Sequence, residues 1–183
     1  MLFRSYTLSH PAPAIEGVSH LTLPIQDLAI AEAFYVSLLG ATLLRRMDRE
    51  TFVEARPERS GEADAANSPL HLALRMGDSP EIHLFLQRDR TAPSPPPHPH
   101  LALEVDADAL PVFLARLQSA GVPTDGPRRL GPPGHASIYF ADPFGNSLEL
   151  ACMGFEGPVA FGPPDMASLG HDWGRDRAHP VHP

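Results

Sequence analysis

The phrase "GVSHLTLPIQDLA", with His20, returns eighty residues later as "HPHLALEVDADAL", with His100. In each, a histidine-bearing apolar strand runs into a segment of helical spacing. A second pair rhymes in the same way, "SPEIHLFLQ" around His83 with "NSLELACM" around Glu149. One supersecondary unit used twice restricts the fold severely, because two like units carry two like apolar faces that both need cover.

Strand geometry sorts the side chains of these phrases, since successive residues point to opposite faces and residues two apart share one. Leu21, Leu23 and Ile25 oppose Val18, His20 and Thr22; Leu101, Leu103 and Val105 oppose His98, His100 and Ala102. Ile82, Leu84 and Leu86 oppose Glu81, His83 and Phe85; Leu148, Leu150 and Cys152 oppose Ser147, Glu149 and Ala151. His20, His83, His100 and Glu149 therefore all leave the aliphatic side of their strands, as four symmetrically placed potential metal ligands.

Each aliphatic stripe has a helix to cover it. Asp27 can cap a segment in which Leu28, Ala31, Phe34, Tyr35, Leu38 and Leu39 follow helical spacing, with Gly40 as the stop. Asp106 or Asp108 can start a second helix with Leu110, Phe113, Leu114 and Leu117 inward, Pro111 in its first turn and Gly121 at its end. Further strands are expected over residues 41–49, 70–77, 124–130 and 135–141, with "GDSP" and "DPFGN" as turns. Each unit then reads strand, helix, strand, strand, strand. The expected organisation is an N-terminal extension over 1–16, a first βαβββ module over 17–90, a proline-rich linker over 91–98, a second βαβββ module over 99–153 and a Gly/Pro-rich tail over 154–183. Residues 55–69, polar and Ala-rich, read as a surface loop inserted in the first module.

Composition excludes several functions. With 43% hydrophobic residues in 183, the chain can bury a sizeable core. No stretch approaches the roughly 20 apolar residues that span a bilayer, so no membrane role is expected. The start of the chain lacks a charged segment followed by a sustained apolar run, so the expected location is cytoplasmic. The net charge of −8 and the absence of a basic cluster longer than "RR" argue against nucleic acid as a partner. The lone Cys152 reads as a buried filler.

The segments "VSHLTLPIQDLAIAEAFYVSLLGA", "HPHLALEVDADALPVFLARLQSAGV" and "IYFADPFGNSLELAC" resemble the vicinal oxygen chelate superfamily, which includes glyoxalase I, extradiol dioxygenases and bleomycin-resistance proteins. The resemblance implies an α+β fold in which two βαβββ modules form a cup-shaped mixed β-sheet with helices on the outer face. It implies a divalent metal held by the first and last strands of each module, at the positions of His20, His83, His100 and Glu149. It also implies a homodimer, with sites built within or between chains.

Three imidazoles and one carboxylate suit one divalent transition ion, Zn, Fe, Ni, Co or Mn, and suit Ca²⁺ poorly. A six-coordinate ion with four protein ligands keeps two positions for a small-molecule substrate that chelates through oxygen. The leading expectation is a glyoxalase-like lyase or isomerase, in which Glu149 moves a carbon-bound proton. Without His83, the ligands His20, His100 and Glu149 form the two-histidine, one-carboxylate face of Fe(II) oxygen chemistry, and an extradiol-type ring-cleaving dioxygenase is the alternative. A metal-free, drug-sequestering binding protein is the second alternative. Tyr139 and His135, an even number of residues apart, are candidate acid–base groups facing the cup.

Overall fold

The structure, a computed structural model, describes residues 19–89, 100–165 and 169. The proline-rich linker, the N-terminal extension, and Met166, His171, Trp173, His179 and His182 of the tail lie outside the described residues.

The chain has α+β architecture, built from two like modules. The first has strands β1 (His20–Ile25), β2 (Thr42–Met47), β3 (Asn67–Arg75) and β4 (Glu81–Gln87); the second has β5 (Leu101–Glu104), β6 (Thr124–Arg129), β7 (Ala136–Ala141) and β8 (Ser147–Cys152). The strand order is β1-β4-β3-β2 in one sheet and β5-β8-β7-β6-β9 in the other, where β9 is Ala160–Phe161. In both sheets the first and last strands of the module pair in parallel and the module's other strands pair antiparallel, while β9 adds to β6 in parallel. The repeat seen in sequence is thus a repeat of topology.

Helix α1 (Leu28–Glu32) begins where Asp27 accepts the Ile30 N–H at 2.9 Å. That carboxylate satisfies one of the donors a helix start leaves unpaired. Beyond Glu32 the chain continues as π-helical turns over Ala33–Leu38, where a regular helix was expected, and the adjacent Phe34 and Tyr35 both enter the core. In the second module, α3 (Ala109–Ser119) follows Asp108 and buries Leu110 and Leu117. Gly40 and Gly121 close these segments at φ 81 and 71, the left-handed region that only glycine enters cheaply.

Both aliphatic stripes and both helices share one core, in which Ile25, Leu72, Leu74, Ile82 and Leu84 of the first module meet Leu110, Leu117, Ile138, Phe140, Leu148 and Leu150 of the second. Burying apolar surface on this scale supplies the main driving force for docking the modules. Polar groups fix their orientation. The buried Tyr35 hydroxyl donates to Asp142 Oδ2 at 2.8 Å, and the Asn146 amide donates to the Pro24 carbonyl at 3.0 Å. Arg116 donates to the Leu38 and Ser37 carbonyls at 2.7 and 2.6 Å, satisfying the end of the first helix from the second module.

Two expectations change. Residues 55–69 are not a structureless loop: α2 (Arg49–Ala55) is followed by a 3₁₀ helix over Pro57–Asp64, and β3 starts at Asn67. Phe52 and Ala63 pack there with Leu70 and Leu86 in a small second core, so the Ala-rich composition marks an apolar contact. The start of the tail also joins the sheet, because β9 pairs with β6 through Arg128↔Ala160 and Arg129↔Phe161. Cys152 is buried, as its strand parity requires.

Candidate functional site

On the second sheet, β5 and β8 bring His100 and Glu149 together. Ala102 is the register partner of Glu149, so His100, two residues before Ala102, shares the face of that carboxylate. His100 Nε2 lies 2.9 Å from Glu149 Oε2. The other oxygen, Oε1, accepts from Ser137 Oγ at 2.6 Å. Glu149 is only 7% exposed, and these two partners are what make a buried carboxylate tolerable. Tyr139 stands directly opposite Glu149 across β7 and β8, with its ring edge-on to His100 at 6.3 Å. Burial, reinforced by the nearby Glu149 charge, raises the Tyr139 phenol above its ordinary range and keeps it a proton donor at neutral pH. Leu169 packs on Tyr139 from the tail. His135 lies just before β7, with Nε2 3.5 Å from Ser137 Oγ, a distance too long for a strong bond, and with Nδ1 buried and unpartnered among the described residues.

On the first sheet, Thr22 is the register partner of His83, which places His20 two residues earlier on the same face. This is the offset of His100 and Glu149, repeated. The His20 and His83 rings stack with centroids 4.7 Å apart. His20 Nδ1 lies 2.9 Å from Ser19 Oγ, and His83 Nε2 lies 2.9 Å from Glu81 Oε2. That hydrogen bond from His83 holds the Glu81 carboxyl below its usual range.

Within one chain the two pairs do not converge. Among the described residues, no group of three or more His, Cys, Asp or Glu side chains is placed to hold one ion. The reason lies in the packing: both sheets turn their aliphatic faces to the shared core, so both ligand faces point away from it. Two grooves of about 490 and 460 Å³ flank β5 and α3, and neither is lined by His20, His83, His100 or Glu149.

Several neighbours of the candidate ligands escaped the sequence reading. His71 on β3 stacks on His83 at 5.7 Å and on Phe85 at 4.6 Å, with Nδ1 2.9 Å from the Pro69 carbonyl. Burial lowers its pKa and keeps it neutral. Arg45 and Arg75 share its face, and Ser137 sits at the equivalent place in the second module. The alternation in "LHLALR", with Leu70, Leu72 and Leu74 buried, carries the signal for His71 and Arg75. The Arg45 signal is hidden, because an irregularity between Leu43 and Arg45 shifts the parity of β2.

Comparison with known proteins places this architecture. The family model described as Glyoxalase/Bleomycin resistance protein/Dioxygenase superfamily matches residues 17–150. The chain belongs to that superfamily. Among solved structures, the chain is similar to a glyoxalase/dioxygenase from Nostoc punctiforme, 22% identical, with a TM-score of 0.58 over 81% of this chain and 99% of that one. The fosfomycin resistance protein FosX from Listeria monocytogenes is 18% identical, with a TM-score of 0.57 over 76% of this chain and 94% of that one. A FosX mutant was solved with Mn(II) and 1S,2S-dihydroxypropylphosphonic acid, with a TM-score of 0.58 to this chain at 18% identity. At these identities the likeness shows the fold. No curated protein matches the sequence. No helix of the described residues is long and apolar enough to cross a membrane.

Proposed function

We propose that this superfamily member is a divalent-metal-dependent enzyme that chelates a small oxygen-bearing substrate and moves a proton on it, as a glyoxalase-like lyase or isomerase. The observation that supports it is the His100–Glu149 pair, with the same two-residue offset repeated by His20 and His83. Two donors bound at right angles to an ion about 2.1 Å away lie about 3 Å apart. The 2.9 Å between His100 Nε2 and Glu149 Oε2 fits that spacing. The donor types fit Zn, Fe, Ni, Co or Mn, and FosX binds Mn(II).

His20 and His83 of one copy and His100 and Glu149 of a second would hold the ion in a homodimer. Two features support this: the ligand faces turn away from the core they share, and β1 and β5 are both terminal strands of their sheets. Among the described residues both of these edges are unpaired, and such edges are places where chains associate. When bound, the ion supplies Lewis acidity toward a substrate oxygen. The chain's own residues do the rest. Ser137 orients the Glu149 carboxylate, which accepts and returns the substrate proton, and the protonated Tyr139 phenol donates a hydrogen bond beside it.

A second reading is favoured by the Glu81–His83 bond. If Glu81 retains His83, the ligands are His20, His100 and Glu149, the set suited to Fe(II) and ring cleavage. Metal analysis of freshly purified protein, with parallel assays of hemithioacetal isomerisation and of oxygen uptake with catechols, tests both. Isomerisation without oxygen uptake is expected. Iron with oxygen uptake selects the ring-cleaving reading, and wild-type protein that neither retains nor takes up a divalent ion overturns both in favour of a metal-free binding protein.

A further inference from the structure

Both ligand faces point away from the shared core, yet they differ in cover. On the first sheet His20 and Thr22 are exposed, whereas on the second Ser137, Tyr139 and Glu149 are all buried. The second face draws cover from the chain that follows β8. After β9 joins the edge of β6, Gly162 bends the chain at φ 95. The Asp165 N–H then donates to Asp125 Oδ2 at 2.7 Å, and Leu169, itself buried, packs on Tyr139. Asp125 is the register partner of Tyr139, so the tail enters this face at β6 and reaches β7.

The anchor for this segment is an irregularity of β6. Asp125 pairs with Tyr139 and Arg128 with Ser137, so β6 spends one residue more than β7 over the same span. Regular alternation would put Asp125 and Arg128 on opposite faces; the extra residue turns both to the face of Tyr139 and Ser137. There Arg128 Nε donates to Asp125 Oδ1 at 2.6 Å, with the two side chains only 19% and 15% exposed. An ion pair so enclosed is tolerable when its remaining donors and acceptors are satisfied as well. The tail satisfies them. Arg128 Nη1 reaches the Phe161 and Gly162 carbonyls at 3.3 and 3.5 Å, and Asp125 Oδ2 takes the Asp165 N–H. The Arg129 guanidinium stacks over the Phe161 ring at 4.7 Å as a further hold.

We propose that the tail is a fixed wall of the candidate site, pinned by the Asp125–Arg128 pair, and that Leu169 on it limits the size of the group a chelating substrate carries beside Tyr139. Tyr139 stands directly opposite Glu149, and opposed residues of neighbouring strands have Cβ atoms about 5 Å apart. The part of a substrate that extends from an ion at Glu149 over β7 therefore meets the Tyr139 ring and the Leu169 packed on it. An apolar wall there matches a compact, uncharged substituent, a methyl group rather than a ring. It also keeps water from the β7 side of Glu149, where the proton moves. The selection by size rests on the metal-site reading; the wall rests on the tail contacts alone.

Acetohydroxamate and benzohydroxamate, which chelate a metal through the same two oxygens and carry a methyl or a phenyl group, are the probes. Both are titrated calorimetrically into the Mn²⁺-loaded full chain, for wild type, Leu169→Ala, Leu169→Met, Arg128→Gln and the surface control Arg49→Gln. Hydroxyl-radical footprinting of the metal-free proteins reads the accessibility of Tyr139, with the core residue Tyr35 as the internal reference for unfolding. Wild type should prefer acetohydroxamate. That preference should fall by about 10-fold in Leu169→Ala, the scale of a few carbons removed from a pocket wall, and return in Leu169→Met. Tyr139 should label several-fold faster in Leu169→Ala and Arg128→Gln and at the wild-type rate in Arg49→Gln, with Tyr35 protected throughout. Labelling of Tyr139 in Leu169→Ala within twofold of wild type overturns the wall, and a hydroxamate ratio in Leu169→Ala within twofold of wild type overturns the role of Leu169 in selection. If Tyr35 becomes labelled in Arg128→Gln, that variant has lost its fold and Leu169→Ala decides. Failure of wild type to bind Mn²⁺ overturns the metal reading instead, and the footprinting still decides the wall.

Discussion

Asp142, outside the candidate site, is a buried carboxyl whose titration couples folding to pH. Burial pushes its carboxyl up to about 6 from an ordinary 3.8, against the lowering effect of Asn146, Tyr35 and Phe144. The folded state therefore binds a proton that the unfolded chain has released between those two values, so stability falls as pH rises through this window. A shift of this size corresponds to roughly 3 kcal/mol. Asp142→Asn should flatten the urea-midpoint curve between pH 4 and pH 7 relative to wild type, whatever it does to the absolute level; parallel curves would show that Asp142 is not the source. At the candidate site, Co²⁺-loaded wild type and His83→Ala should give different ligand-field spectra if His83 is bound to the ion. An unchanged spectrum would leave His20, His100 and Glu149 and move ring cleavage to first place. The faces of the candidate ligands were legible because parity depends only on a period of two. The partners were not, since Ser137, His71 and Leu169 reach them across strands or from the tail.

The elements were legible to the extent that local signals specify them. Asp27 before an apolar helical stripe, glycine after it, and alternation in the strands located the main helices and eight of the strands, whose observed bounds are those given above. Asp27→Ala should cost about 1 kcal/mol of stability through loss of the cap, read as a lower denaturation midpoint. Residues 57–64 escaped because Ala63 is the one buried residue of that 3₁₀ helix, too few apolar positions to show a period, and it is held by packing with Phe52 and Leu70. β6 carries a second nonlocal constraint. Gly126 adopts φ +139 within the irregularity between Asp125 and Arg128, and a Cβ there would lie 2.5 Å from the Ser137 carbonyl oxygen. Gly126→Ala should therefore displace β7 where Ser137 supports Glu149. The expected result is lower thermal stability together with weaker Mn²⁺ binding, and a variant whose Mn²⁺ affinity equals that of wild type would show that β6 does not position the site.

At the scale of the whole molecule, the sequence repeat implies that four residues in matched register aim at equivalent points, yet a single chain turns its two ligand faces away from one core. That arrangement cannot be read from strand parity, because parity says which face a residue takes and says nothing of how two sheets are docked. If each ion is shared between copies, complementation should reveal it. His20→Ala and Glu149→Gln each remove a ligand from every site of their own homodimer. In a mixed dimer with twofold symmetry, one interface site receives His20 from the Glu149→Gln chain and Glu149 from the His20→Ala chain, and so is intact, while the other lacks both. Random reassortment of equal amounts makes half the dimers mixed, so about a quarter of all sites should regain Mn²⁺ binding after unfolding and refolding together. Mn²⁺ titration followed by electron paramagnetic resonance reads that fraction directly. No recovery in a mixture that demonstrably contains mixed dimers would place each site within one chain, and a monomer by light scattering at micromolar concentration would remove the shared site altogether.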